Sequence, residues 1–208
     1  MSPVFTLLSE ADRHRARTEA MIRAVYAETY GAAISSFPRR LAVLLDGNEQ
    51  PLCAAGLREA EDGFFSEAYL DGPIEQVLAD RIGGALPRSE GFEVTTLAGA
   101  QPGAACLLLR HIVDAGRSTG KSWAFFTATR SLRLLMRRGG LDLLALAPAR
   151  RERIANPDAW GRYYDTDPWV CAAVEPKTAP VRLRQVAMLG GLAARRLGGM
   201  PKREVVHV

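Results

Sequence analysis

The chain has 208 residues, 48% of them apolar and 24% charged, which suits one soluble globular domain with or without a tail and excludes a disordered or fibrous protein. Its net charge of +4 rests on arginine, lysine standing only at Lys121, Lys177 and Lys202; such an excess favours an anionic partner, although a chain so rich in Ala, Gly and Arg can also carry it as compositional bias. Cys53, Cys106 and Cys171 are odd in number and far apart, without a C-x-x-C pair, so neither a disulfide framework nor a metal site is expected.

The first residues, MSPVFTLLSEADRHR, meet charge too early for a signal peptide. The longest uncharged run, Val94 to Leu109, holds Pro102 and two glycines and is too short to span a bilayer as a helix, so a cytoplasmic location is expected. Ser9 and Asp12 stand at capping spacing before a helix that aligns Met21, Ile22, Val25, Tyr26 and Tyr30 on one face and stops at Gly31. LAVLLDGNEQPLCAAGLREA reads as a hairpin turning at Asp46-Gly47. GFFSEAYL suits a third strand, and GPIEQVLADRIGG a short helix opened by Pro73 and closed by glycine.

From there the pattern alternates: a strand Phe92 to Leu97, a helix from about Gly103 to Ala115, a strand Trp123 to Thr127, and a helix from Thr129 to Gly139-Gly140. LDLLALA is apolar without alternation, which suits a strand covered on both faces. NPDAWGRYYDTDPWVCAAV predicts a short helical turn and a last strand. The division expected is a domain over residues 1–175 and a tail over 176–208. In that tail Val181, Leu183, Val186, Leu189, Leu192 and Leu197 alternate with Arg182, Arg184, Arg195 and Arg196 as a basic amphipathic helix, which suits packing on the body or peripheral contact with a membrane.

Glu93 opens an apolar strand, where it is either an exposed edge carboxylate or a desolvated one whose raised pKa suits a general base. The loop AGAQPGAA leads into a helix whose free N–H groups and dipole can hold a phosphate, its glycines letting a ligand approach the backbone. Arg58, on the second hairpin strand, can clamp a carboxylate or lie on a solvent face. His111 and Asp114 lie one helical turn apart and form either a base pair of the His–carboxylate kind or an ordinary helix surface. No nucleophile elbow, H-E-x-x-H, Walker A or dinucleotide fingerprint is present, nor is there the interleaving of basic and aromatic clusters that marks a nucleic-acid module, so no nucleic-acid partner is expected.

Six phrases resemble the bacterial thermostable hemolysin family: YGA at Tyr30, AAGLREA at Ala54, FFSEAYLDGPIE at Phe64, EVTTLA at Glu93, SWAFFTATRSLRLLMRRGGL at Ser122 and WGRYYDTDPWV at Trp160. EAYLDGPIE and WGRYY are the most specific, and the resemblance runs from about Tyr26 to Val174. That family is similar in turn to the acyl-homoserine lactone synthases of the GNAT superfamily: Arg23-Ala-Val-Tyr26, Gly56-Leu-Arg58, Glu93-Val-Thr95 and Phe126-Thr127 follow the synthases' order of motifs. The departures are a shorter glycine-to-arginine gap, Thr96 and Leu97 in place of an Arg and a Phe, no counterpart of an acidic pair before the second strand, and Ala100 where the GNAT acyl-CoA loop carries Gln or Arg. They make S-adenosylmethionine a doubtful substrate and leave an acyl thioester as the expected donor.

The resemblance implies an α/β, GNAT-like fold, a mixed central sheet flanked by helices, acting as an acyltransferase. Acyl-CoA or an acidic acyl-carrier protein gives its acyl group to the amine of a small, amino-acid-like acceptor. Glu93 is then the base and Tyr164 the proton donor to the leaving thiol. Arg23, Tyr26, Arg58, Thr95, Phe126, Thr127, Trp160 and Tyr163 bind substrate, the tyrosines and the tryptophan having core packing as their other reading. Leu97, Ala98, Gly99, Gln101, Gly103, Ala104 and Ala105 hold the thioester's carrier arm. The alternative is a membrane-active protein without enzymatic chemistry, working through the basic tail.

Overall fold

The computed structural model describes residues 2–99, 101, 103–141 and 143–174. The expected tail and the domain boundary before it lie outside them. Seven strands form one sheet in the order β1-β2-β3-β4-β5-β7-β6. β1 (Val4–Leu8), β2 (Arg40–Leu45), β3 (Pro51–Arg58) and β4 (Gly91–Gly99) make an antiparallel run, and β5 (Trp123–Ala128), β6 (Leu144–Pro148) and β7 (Trp169–Val174) a second. The two runs meet where β4 and β5 lie parallel, over the three pairs Gly91–Trp123, Phe92–Ala124 and Glu93–Phe125. Beyond Glu93 the two strands pair no further, so the sheet forks at its centre.

α1 (Arg15–Tyr30) and α2 (Ile74–Ile82) cover one face, α3 (Ala104–Ser118) and α4 (Arg130–Arg138) the other. The α1 stripe of Ile22, Val25, Tyr26 and Tyr30 packs on Leu41, Val43, Ala54 and Ala98. Gly31 ends α1 in the left-handed region, at φ 67°, as the sequence predicts. Leu108 and Ile112 of α3 and Leu132 and Met136 of α4 meet Leu44, Val94, Leu97 and Phe126 on the other side. Thr129 caps α4 by accepting from the Leu132 amide.

Three expectations change. Residues 60–69 form two short 3-10 turns, Ala60–Asp62 and Ser66–Tyr69, instead of a third strand, because their aromatic residues have no period of two to sit on a sheet. LALAP is an edge strand with Leu144 38% exposed, so its apolar run does not report cover on both faces. Val4–Leu8 adds an edge strand that the sequence pattern leaves unread.

β4 carries an irregularity that shapes the site. Ala54 faces Ala98 while Gly56 faces Thr95, so β4 has an extra residue there, and Thr96 sits at a positive φ of 47°. The bulge changes parity: Val94 and Leu97, three residues apart, both reach the α3/α4 core.

Candidate active site

Glu93 is wholly buried at the last rung before the fork, which excludes an exposed strand-edge carboxylate. Its Oε2 accepts from the Phe65 amide at 2.6 Å and its Oε1 from the Ser66 amide at 2.8 Å. Burial pushes its pKa up to about 7, against the restraint of the Ser66 hydroxyl, these two amides and the charge of Arg58. The result is a carboxylate poised to exchange a proton near neutrality.

The segment that brings those amides is tied down at both ends. Arg58, opposite Glu93 on β3, donates to the carbonyls of Asp62 and Gly63 at 3.2 and 3.3 Å. Arg88 grips Glu67 and Glu75, at 2.7 Å to Glu75 Oε2, and lies 4.3 Å over the Phe64 ring. Burial raises the pKa of Glu67, but its bonds from Arg88 and the Ile74 amide bring it below the usual carboxylate range.

Above Glu93 lies a small pocket lined by Phe65, Ser66, Tyr69, Val94, Thr95, Thr96, Thr127, Trp160 and Tyr163. The Ser66 and Thr127 hydroxyls share a hydrogen bond of 2.8 Å. Those of Tyr69 and Tyr164 share another of 2.8 Å, and burial raises both phenol pKa values. Thr96 Oγ1, on the bulge, is buried with no hydrogen-bond partner among the described residues, so the pocket wall holds a polar atom that they leave unmet.

Of the residues singled out in the sequence, Thr95, Thr127, Trp160 and Tyr163 line this pocket, Glu93 lies under it and Tyr164 touches it through Tyr69. Four others go elsewhere. Phe126 points to the α3/α4 core because alternate residues of β5 face opposite ways, Phe125 and Thr127 taking the pocket side. Tyr26 is wholly buried in the α1 core, edge-on to Trp160. Arg23 falls beside the inward stripe of α1, donates to the Ile34 carbonyl at 3.1 Å and covers the Phe37 ring. Arg58 serves the turn, not the pocket. His111 stacks on Phe5 while Asp114 pairs with Arg117 at 3.6 Å, so they do not form a base pair. Phe65, Ser66, Tyr69, Val94 and Thr96 are the lining residues that sequence reasoning missed; for Ser66 and Tyr69 the signal is the serine and tyrosine three apart in SEAY, one 3-10 turn.

At the far end of β4, Gly103 takes a left-handed φ of 80° as the N-cap of α3, with no described side chain capping the helix and no acid in its first turn. Leu97, Ala98 and Ala105 bury their side chains in the core, leaving backbone as what they offer a ligand; Gln101 is exposed. The donor set is therefore amides and a helix dipole, which fits a phosphate. No described helix is long and apolar enough to cross a membrane.

A search of solved structures places this architecture. The acyl-homoserine lactone synthase LasI aligns with a TM-score of 0.57 at 14% identity over 95% of this chain and 100% of its own. TofI, solved in a ternary complex with an inhibitor and MTA, gives 0.52 at 15% over 84% and 91%. A putative N-acetyltransferase from Lactobacillus plantarum gives 0.53 at 14% over 85% and 100%. The fold is thus the GNAT-like one of these synthases. Comparison with curated protein sequences returns no match. The model of the family described as Thermostable hemolysin matches residues 8–179. The chain belongs to the thermostable hemolysin family.

Proposed function

We propose that the protein is an N-acyltransferase that moves an acyl group from a thioester, on coenzyme A or a carrier protein, to the amine of a small acceptor. The observation that carries this reading is the wholly buried Glu93, its pKa raised to about 7, at the vertex where β4 and β5 part. The likeness of the fold to synthases and acetyltransferases supports it.

Past Glu93 the ladder between β4 and β5 stops, so a ligand's amide groups can pair with the strand edges that face the fork. A pantetheine arm, extended and carrying amides, has the chemistry to lie there, its phosphate end at the uncapped start of α3. The thioester carbonyl then reaches the Val94–Thr96 stretch, where backbone N–H groups polarise it. The acceptor amine enters beside Thr95 and Thr127, against the Trp160 and Tyr163 rings. One amine proton passes to Glu93, the neutral nitrogen attacks the thioester carbon, the C–N bond forms and the C–S bond breaks. Tyr164 acts through the pocket-lining Tyr69: the Tyr69 hydroxyl gives its proton to the departing thiolate, takes one from Tyr164 across their hydrogen bond, and returns one to Tyr164 as it accepts the nitrogen's.

Full-length protein is mixed with a panel of acyl-CoAs and acyl-carrier proteins plus pooled amino acids and amines, with thiol release followed and products read by mass spectrometry. Thiol release with an N-acyl product, lost in Glu93→Gln, supports the reading. No donor consumed while the protein leaks liposomes through its tail overturns it and favours a membrane activity.

A further inference from the structure

Glu93 does not itself line the pocket, whereas Ser66, bonded to its carboxylate, and Thr127, bonded to Ser66, both do. A base that cannot touch its substrate needs a carrier for the proton. Water is the usual carrier, but here two hydroxyls lie between groups that line the pocket and the carboxylate's own partner. The Ser66 amide is fixed on Glu93 Oε1 at 2.8 Å, so its side chain is held at the same carboxylate. Its hydroxyl is 2.8 Å from Thr127 Oγ1, and either oxygen can be the donor. Ser66 is 2% and Thr127 7% exposed, so bulk water competes little for these bonds.

We propose that Thr127 and Ser66 form a two-hydroxyl proton relay from the acceptor amine in the pocket to the buried Glu93, an inference that rests on the acyltransferase reading. Thr127 Oγ1 takes a proton from the amine as its own passes to Ser66 Oγ, and Ser66 releases its proton to the Glu93 carboxylate. Each hydroxyl gains one proton and loses one, the amine becomes neutral and Glu93 becomes neutral. Thr127 touches the reacting nitrogen; Ser66 is a positioning residue that orders the chain. The charged and titratable groups around the carboxylate are Arg58 on β3, Tyr69 on the same turn as Ser66 and, behind it, Tyr164, while β5 contributes none.

The relay makes a demand that a water-carried proton does not: both hydroxyls are required, and a hydroxyl restores what a methyl removes. The test measures kcat, KM for donor and acceptor, and the pH profile in wild type, Ser66→Ala, Thr127→Val and Thr127→Ser, using the donor and amine found in the panel above, with melting temperatures to establish folding. The expected result is a fall in kcat on the order of 100-fold in Ser66→Ala and Thr127→Val, donor KM unchanged. Thr127→Ser is expected to return to within about 3-fold of wild type, since general-base help is restored with the hydroxyl. In wild type a plot of rate against deuterium content is expected to bow, as several protons move together, and in Ser66→Ala to straighten. Wild-type turnover that persists in both Ser66→Ala and Thr127→Val, or a Thr127→Ser variant as slow as Thr127→Val, overturns the relay and leaves the acyltransferase reading intact. Wild type that consumes no donor overturns both.

Discussion

Two opposed forces act on the Glu93 carboxyl: removal from water favours its neutral form, while two backbone amides and Arg58 favour the anion. The base must be ionised to work, so kcat/KM is expected to rise with pH through a limb near 7, and a limb shifted down to the ordinary carboxylate range speaks against Glu93 as the base. The same shift has a stability consequence of opposite sense. With a folded pKa of about 7 above an ordinary 4.5, Glu93 contributes stability that is fully present below 4.5 and is lost as pH rises through 7. The difference in melting temperature between wild type and Glu93→Gln is expected to move against wild type across that window. Glu93 itself was legible in the sequence, because a carboxylate at the head of an apolar strand is rare. Ser66 was not: it reaches Glu93 across 27 positions of chain, in a turn whose aromatic residues imitate a strand.

At the scale of elements, the helices were readable from period and glycine stops and β6 from its apolar run, while the edge strand β1 and the exposure of β6 were not, because a half-covered edge has no fixed apolar pattern. The WGRYY phrase shows what a conspicuous string does in the fold. Gly161, at φ 52°, passes so close to the end of α1 that a Cβ would lie 2.2 Å from the Tyr30 carbonyl oxygen, and the next amide, Arg162, donates to that oxygen at 2.8 Å. The phrase fastens the aromatic pocket wall to α1. Gly161→Ala combines a clash with a left-handed backbone, and a loss of about 3 kcal/mol is expected from urea unfolding. Arg88→Met acts at the opposite wall: Glu67 and Glu75 lose a shared partner, and the turn that presents the Phe65 and Ser66 amides loosens. Destabilisation of about 1 to 3 kcal/mol is expected, since two half-buried carboxylates lose their charge partner. A raised KM in kinetics is the accompanying sign.

For the whole molecule, residues 2–174 contain all seven described strands and the pocket, and the family match ends at residue 179. A chain shortened to residue 179 is expected to melt as the full chain does and to keep its thiol release, both measurable on purified protein; a folded but inactive product would move part of the site into the remaining residues. The fork in the sheet has a mechanical consequence. Three rungs are a short fulcrum, and the halves β1 to β4 and β5 to β7 are levers about it. Glu93 is the outermost rung of that fulcrum and Thr127 lies beyond it on one lever, with Ser66 bonded to both. The two hydroxyls therefore gauge how far the levers stand apart: a guest that spreads the fork too widely breaks their contact, and one that holds it at 2.8 Å keeps the proton's route whole.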